Sequence, residues 1–162
     1  MNRWKLKVQG PSTSLPVPTK IEFSRRKMEN GFSFESVNSE LVSSYQLYPI
    51  LTNHYELNSA LSQKIEALVH RSETQARDVF DISHLLGIGA KSSAISDELN
   101  THLEKAIENA MSISYSDYRA QVVAYLKDEY REFFGSEAKW NEMQEKLIKF
   151  FEETRSLKKQ GL

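Results

Sequence analysis

Lys64, Leu68 and Arg71, followed by Arg77, Asp78 and Asp81, are the residues of this chain whose types and spacing best suit chemistry. On a helix, positions i, i+4 and i+7 stack on one face, so Lys64, Leu68 and Arg71 share a face with Leu61 and two cations border an apolar stripe. An isolated buried cation is strongly disfavoured, so these two need carboxylate partners or an anionic ligand. Asp78 and Asp81 open the next helical pattern, and Arg77 is spaced to pair with Asp81 at i, i+4. A helix hairpin would bring both carboxylates to Lys64 and Arg71. Two readings fit this spacing. One is an ion-pair lattice that ties two helices together. In the other, Lys64 and Arg71 hold nucleotide phosphates, the lysine as a mobile point charge and the arginine as a planar fork, while a carboxylate positions the lysine or a metal.

The elements that must position these residues are legible as a change of period. Trp4, Leu6 and Val8 alternate with Lys5, Lys7 and Gln9, which predicts a strand with one buried face, ended by Gly10-Pro11. Residues 11–18 read as an irregular connection, Lys20 to Arg26 as a second strand, and Asn30-Gly31 as a turn. Between Phe32 and Tyr48 the alternation is weak and only short strands are expected. From Glu56 the period is helical. Leu57, Leu61, Ile65 and Leu68 predict a helix ending near Arg71, and a second helix is expected from about Gln75 to Leu86 with Gly87 as its stop. A third carries Leu99, Leu103, Ala106, Ile107 and Ala110 behind a Ser96 N-cap, and a fourth carries Tyr118, Val122, Leu126 and Phe133. The last follows Gly135-Ser136 with Trp140, Met143, Leu147, Phe150 and Phe151 on its apolar side. The expected class is α+β: a small N-terminal antiparallel or mixed sheet in a strand-rich part over residues 1–55, then a five-helix region over residues 56–162.

Composition narrows the function classes. At 40% hydrophobic and 27% charged residues the chain is expected to fold as a globular protein. A formal net charge of -1 gives no overall basic footprint for nucleic acid, so any such contact must be local. Absence of cysteine excludes disulfides, thiolate metal sites and cysteine nucleophiles together. Neither an export signal nor a membrane segment is expected, and the cytoplasm is the default compartment. His54, His70, His84 and His102 are scattered without metal-ligand spacing and read as surface or capping residues. Gly87-Ile88-Gly89-Ala90 follows a helix and reads as a C-cap and linker, not a phosphate loop.

The order Lys64, Leu68, Arg71, then Arg77, Asp78, Asp81, Leu85, Leu86 resembles the two downstream motifs of the AbiEii/AbiGii toxin family of nucleotidyltransferases. The strand Lys20-Ile21-Glu22-Phe23 is similar to a sheet strand of that family. The resemblance implies a polymerase-beta-like core with a helical C-terminal region, working in toxin-antitoxin and phage-defence systems. It implies transfer of a nucleotide from a nucleoside triphosphate, with Mg²⁺, to an acceptor that in some members is transfer RNA. On that model Lys64 contacts the triphosphate with Arg71 and Arg77 as further nucleotide-binding residues. Asp81 acts near the acceptor or the lysine, with Asp78 as the alternate, and Glu22 is a third catalytic candidate.

One departure from the family pattern is central. The Gly-Ser turn and the Asp-x-Asp of the family's upstream motifs are missing before residue 20; the lone Gly-Ser is Gly135-Ser136, and the 162 residues contain no Asp-x-Asp. Two carboxylates spaced in that way hold Mg²⁺ for phosphoryl transfer, so the chain has no metal site of its own and is expected to be inactive alone. A fragment of a longer enzyme, a split protein and a decayed paralogue all fit this reading. Each favours association with another chain, an antitoxin or a second copy in a homodimer. The alternative from another class is a non-catalytic protein-interaction module. Tyr115, Tyr118 and Tyr125 near Arg119 and Lys127 offer stacking and phosphate contacts to RNA, against the plainer reading of late-helix aromatics as core.

Overall fold

The computed structural model describes residues 2–9, 15–23 and 31–159. It divides into two compact units, Met1–Asn30 and Gly31–Leu162.

In the first unit β1 (Asn2–Val8) pairs antiparallel with β2 (Val17–Phe23). The register sets Trp4 opposite Ile21, Leu6 opposite Thr19 and Val8 opposite Val17, which gathers the apolar side chains on one face as the alternation predicts. The expected burial of that face is corrected: Trp4, Leu6, Val8, Val17 and Ile21 are all exposed, because a lone two-stranded ribbon supplies no second layer to cover them. β2 begins earlier than expected and takes in Pro18, across from Lys7. In a two-stranded ribbon both strands are edges, where a proline removes no central ladder bond. The expected turn at Gly10-Pro11 and the expected strand end at Ser24 to Arg26 lie outside the described residues.

The second unit opens with a hairpin of β3 (Phe32–Ser36) and β4 (Leu51–Tyr55), also antiparallel. Its ladder continues at both ends: Val37 N donates to Ile50 O at 2.8 Å and Glu56 N donates to Gly31 O at 2.9 Å. Gly31 has φ +83°, and a Cβ there would lie 2.0 Å from Ser59 Oγ, so the corner where β3 starts favours glycine and a substitution there is strained. Between the strands runs α1 (Ser39–Ser44), a helix the sequence reading did not anticipate; Asn38 caps it by accepting from Glu40 N and Leu41 N. The expectation of one small sheet is therefore corrected. Among the described residues there are two separate two-stranded antiparallel sheets, since each hairpin closes on itself and α1 is too short for a parallel crossover.

The core lies in the helices. α2 (Leu57–His70) buries Leu61, Ile65, Leu68 and Val69, and α3 (Ala76–Gly87) buries Ala76, Val79 and Ile82. Ile88 and Gly89 end α3 as expected: Gly89 takes φ +105°, and the backbone N–H groups of Ile88, Gly89 and Ala90 donate to the carbonyls of His84, Leu86 and Leu85. Ser96 caps α4 (Asp97–Thr101), accepting from Leu99 N at 3.1 Å, and α5 (Leu103–Met111) follows after a break at His102. α6 (Tyr115–Gln121) starts with a capping box of Ser114 and Asp117. A 3₁₀ turn (Val123–Tyr125) separates it from α7 (Asp128–Phe134). α8 (Glu137–Lys159) is the long brace; Trp140, Met143, Leu147, Phe151 and Thr154 form its buried stripe.

Seven α-helices thus follow residue 56 among the described residues, not five. Two expected helices are each split. At His102 the backbone leaves the helical region (φ -101°, ψ 0°), and Leu99 and Leu103 are buried on either side of the break. At Val122 (φ -126°, ψ -64°) consecutive Val122 and Val123 are both buried, and a continuous helix would turn one of them about 100° away from the other. Arg131 satisfies the carbonyls freed by that break, donating to Leu126 O at 2.9 Å and Val123 O at 3.3 Å. No described helix is long and apolar enough to cross a membrane.

Candidate functional site

The short connection 71–75 folds α3 back against α2, and this hairpin brings together most of the residues the spacing singled out. Helical periodicity places Lys64 and Arg71 at the border of the buried stripe of α2, and Asp78 and Asp81 on the first turns of α3. Lys64 Nζ lies 2.5 Å from Asp81 Oδ2 and 3.5 Å from Asp78 Oδ1. Arg71 Nε lies 2.7 Å from Asp78 Oδ2.

Burial distinguishes the four groups. The Asp78 side chain is fully buried, whereas Lys64, Arg71 and Asp81 each keep about a third of their surface exposed (35%, 34% and 38%). Neither carboxylate oxygen of Asp78 meets hydrogen-bond geometry, and nor does Arg71 Nε; the pair is held by charge at close range. A fully buried carboxylate depends on its two cations, and removal of either leaves it less compensated.

The start of α3 is fixed from a distance. Gln75, its N-cap residue, makes no side-chain cap, and Ala76 N instead donates to Gln121 Oε1 at 2.8 Å, from the last turn of α6. Asn109 of α5 holds the other helix, its Nδ2 donating to Leu68 O at 2.7 Å. Gln121 and Asn109 thus set the frame in which Lys64 faces Asp78 and Asp81. Sequence reasoning missed both, and with partners 45 and 41 residues away no local pattern signals them.

Two expectations do not hold. Arg77 makes no ion pair with Asp81, whose partner is Lys64; Arg77 is exposed on the wall of an open cleft beside Asp81. Lys64 wins because its ammonium, arriving from the facing helix, reaches the carboxylate at 2.5 Å. Nor does Tyr118 offer a face for stacking, and Arg119 lies over the Tyr115 ring, 5.9 Å from its centroid. Tyr118 is buried, stacks on Trp140 with ring centroids 4.5 Å apart and donates its hydroxyl to Phe134 O at 3.0 Å; burial pushes that hydroxyl up to about 12. Tyr115 donates its hydroxyl to Gly135 O. Tyr125, by contrast, is 83% exposed. Glu22 stands on β2 across from Arg3 in the backbone register, in the other compact unit, and its side chain lies outside the described residues.

The donor set does not suit Mg²⁺. The described residues contain no group of three or more His, Asp or Glu able to hold a metal ion, and Asp78 and Asp81 are already engaged by an ammonium and a guanidinium. What the hairpin offers is cationic: a half-exposed lysine and arginine over a carboxylate base. His84, one turn after Asp81, is exposed, and His70 packs edge-on against His102 with centroids 5.5 Å apart. A family model described as nucleotidyl transferase AbiEii toxin, type IV TA system, matches residues 2–158. No curated protein and no solved structure matches the chain.

Proposed function

The chain belongs to the AbiEii nucleotidyl transferase toxin family, and from that premise we propose that the α2–α3 hairpin is the phosphate-binding half of a nucleotidyltransferase site. One observation carries the reading. Lys64 is shared between Asp81 at its exposed edge and Asp78 beneath, while Arg71, the closer of the two cations on Asp78, stays with it when the lysine leaves. The lysine can therefore swing to an incoming triphosphate without leaving the buried carboxylate bare. Asp81 holds the ammonium in place until the phosphates arrive, and Arg71 contributes positive potential from the neighbouring turn. Asp78 anchors the arginine and does not itself touch substrate.

Mg²⁺ would be needed to neutralise the triphosphate and the charge that develops during transfer, and the carboxylates to hold it have to come from another chain or region. No step of the reaction is assigned to Asp78, Asp81 or Glu22 through a metal. By itself the chain binds nucleotide and does not transfer it to an acceptor. Calorimetry with magnesium and a nucleoside triphosphate, on the wild-type chain and on Lys64→Ala, tests this. Micromolar binding that is lost in a folded Lys64→Ala variant supports the reading. Absence of binding to wild type removes it.

A second reading, a surface for a partner protein such as an antitoxin, has an observation of its own. From Phe32 to Leu51 the chain exposes Phe34, Tyr45, Leu47, Tyr48 and Leu51 over a hairpin and its short helix, an unusual density of apolar groups in contact with water. Recovery of a monodisperse complex with the antitoxin, lost on changing Phe34 and Leu51 to Ser, would favour that role.

A further inference from the structure

Between α3 and α8 lies a cavity of about 600 Å³ in which the nucleotide reading has no part. Its volume falls within the roughly 300–1,000 Å³ of small-molecule pockets. Met143 and Leu147, both buried, line it from α8, and the half-buried rings of Phe80, Phe134 and Phe150 complete an apolar lining. Phe80 and Phe134 meet edge to face with centroids 5.3 Å apart, so the two rings brace each other beside the space.

Two further features bear on what the cavity takes. Lys139, Glu142 and Lys146 stand at its edge, with Lys146 Nζ 2.6 Å from Glu142 Oε1 and Lys139 Nζ 2.9 Å from Oε2. The carboxylate thus gathers two ammoniums at one place and leaves one positive charge in excess. The Lys146 side chain is 70% exposed, and its ammonium has three donors, of which Glu142 takes one. Gly87 lines the same cavity from the last turn of α3. Its backbone is helical, and a Cβ placed on it would meet no atom within 4 Å, so neither strain nor crowding requires glycine there. Glycine weakens a helix relative to alanine. What the missing side chain preserves is open space beside the cavity.

We propose that this cavity binds a free, medium-chain amphipathic monocarboxylate, its hydrocarbon tail against the three phenylalanines and its carboxylate on Lys146. An apolar lining suits a tail and disfavours a triphosphate, whose charges lose water without gaining partners. One excess positive charge at the edge matches a carboxylate, which carries one negative charge. The site goes beyond the nucleotide reading and is independent of Lys64.

Calorimetry with octanoate and decanoate, below their micellar concentrations, and with octanol as an uncharged counterpart tests this on the full chain and on Lys146→Gln, Gly87→Leu and Lys64→Ala. Decanoate should bind saturably and about tenfold tighter than octanoate, because each buried methylene tightens binding by up to about fourfold. Lys146→Gln should weaken both carboxylates about fivefold and leave octanol unchanged, since only a carboxylate meets the ammonium. Gly87→Leu should abolish binding of all three without lowering Tm, as nothing opposes the new Cβ. Lys64→Ala should bind decanoate as wild type does. Absence of saturable decanoate binding overturns the proposal. Binding that survives in a folded Gly87→Leu variant also overturns it, by placing the ligand on other apolar groups such as those exposed between Phe32 and Leu51. Equal changes for octanoate and octanol in Lys146→Gln overturn it as well, and this comparison rests on an exposed residue whose replacement leaves the fold intact. Loss of decanoate binding in Lys64→Ala overturns it by moving the ligand to the α2–α3 hairpin.

Discussion

Asp78 on α3 and Glu142 on α8 are each held between two cations, yet the two arrangements do different work. Asp78 is fully buried, with Arg71 Nε at 2.7 Å and Lys64 Nζ at 3.5 Å. Glu142 is 43% exposed, with Lys146 Nζ at 2.6 Å and Lys139 Nζ at 2.9 Å, i, i+4 and i, i-3 neighbours on one helix. The α8 trio lies at the edge of a cavity floored by Phe80, Phe134 and Phe150, and its three charges come from a run that a solvated helix face commonly shows. The α2–α3 group joins two helices and puts a charge where water does not reach. Proximity of opposite charges is common to both; the desolvated carboxylate belongs to one, and that is where an ion pair is costly enough to need a reason.

Arg71→Ala should show the largest effect. It leaves Asp78 with only Lys64 at 3.5 Å, and an uncompensated buried charge costs about 3 kcal/mol. For a chain of this size that is a fall of roughly 6–12 °C in Tm, read by thermal denaturation. The double variant Arg71→Met with Asp78→Leu should recover most of the loss, because it removes the charge along with its partner. A drop for Arg71→Ala no larger than for a surface substitution would break the contrast with Glu142. Lys64→Ala comes next, at about 1 kcal/mol, since its closer partner Asp81 is partly exposed and Asp78 keeps Arg71. That modest figure matters for function: it keeps Lys64→Ala folded, so a loss of nucleotide binding in that variant reports on phosphate contact and not on unfolding.

Much of this contrast was legible in the residues. The apolar period of α2 and α3, the stop at Gly87 and the cap at Ser96 are local signals, and they place Lys64, Arg71, Asp78 and Asp81 together once the hairpin is granted. The partner of Asp81 was not legible, because i, i+4 spacing offers Arg77 and only the packing of α2 on α3 delivers Lys64 first. Likewise the spacing of Tyr115, Tyr118 and Tyr125 does not say that two are bound into the body and one is exposed; the break at Val122 decides it. α1 escaped notice because six residues hold too few turns to show a period, leaving Asn38 as its lone sign. The long-range caps by Gln121, Asn109 and Gln144, whose amide donates to Ala110 O at 2.7 Å, have no local signature.

The smallest effect is expected at Glu142, and its pH dependence sharpens the comparison further. Hydrogen bonds from Lys146 and then Lys139 hold its carboxyl down at about 2, below the ordinary carboxylate range. A depressed folded value means that the group's contribution is complete above the ordinary range and is lost as pH falls through about 2. Because the group is 43% exposed and screened by water, Glu142→Gln should nevertheless differ little from wild type in Tm at neutral pH. The small difference should shrink between pH 4 and pH 2 and should also fade in high salt, because these charges face water. The Arg71→Ala penalty should survive the same salt, since screening ions do not enter the space around Asp78. If salt erased both penalties alike, burial would not be what separates the two carboxylates, and the case for Lys64 as a lysine poised over a desolvated anchor would lose its physical basis.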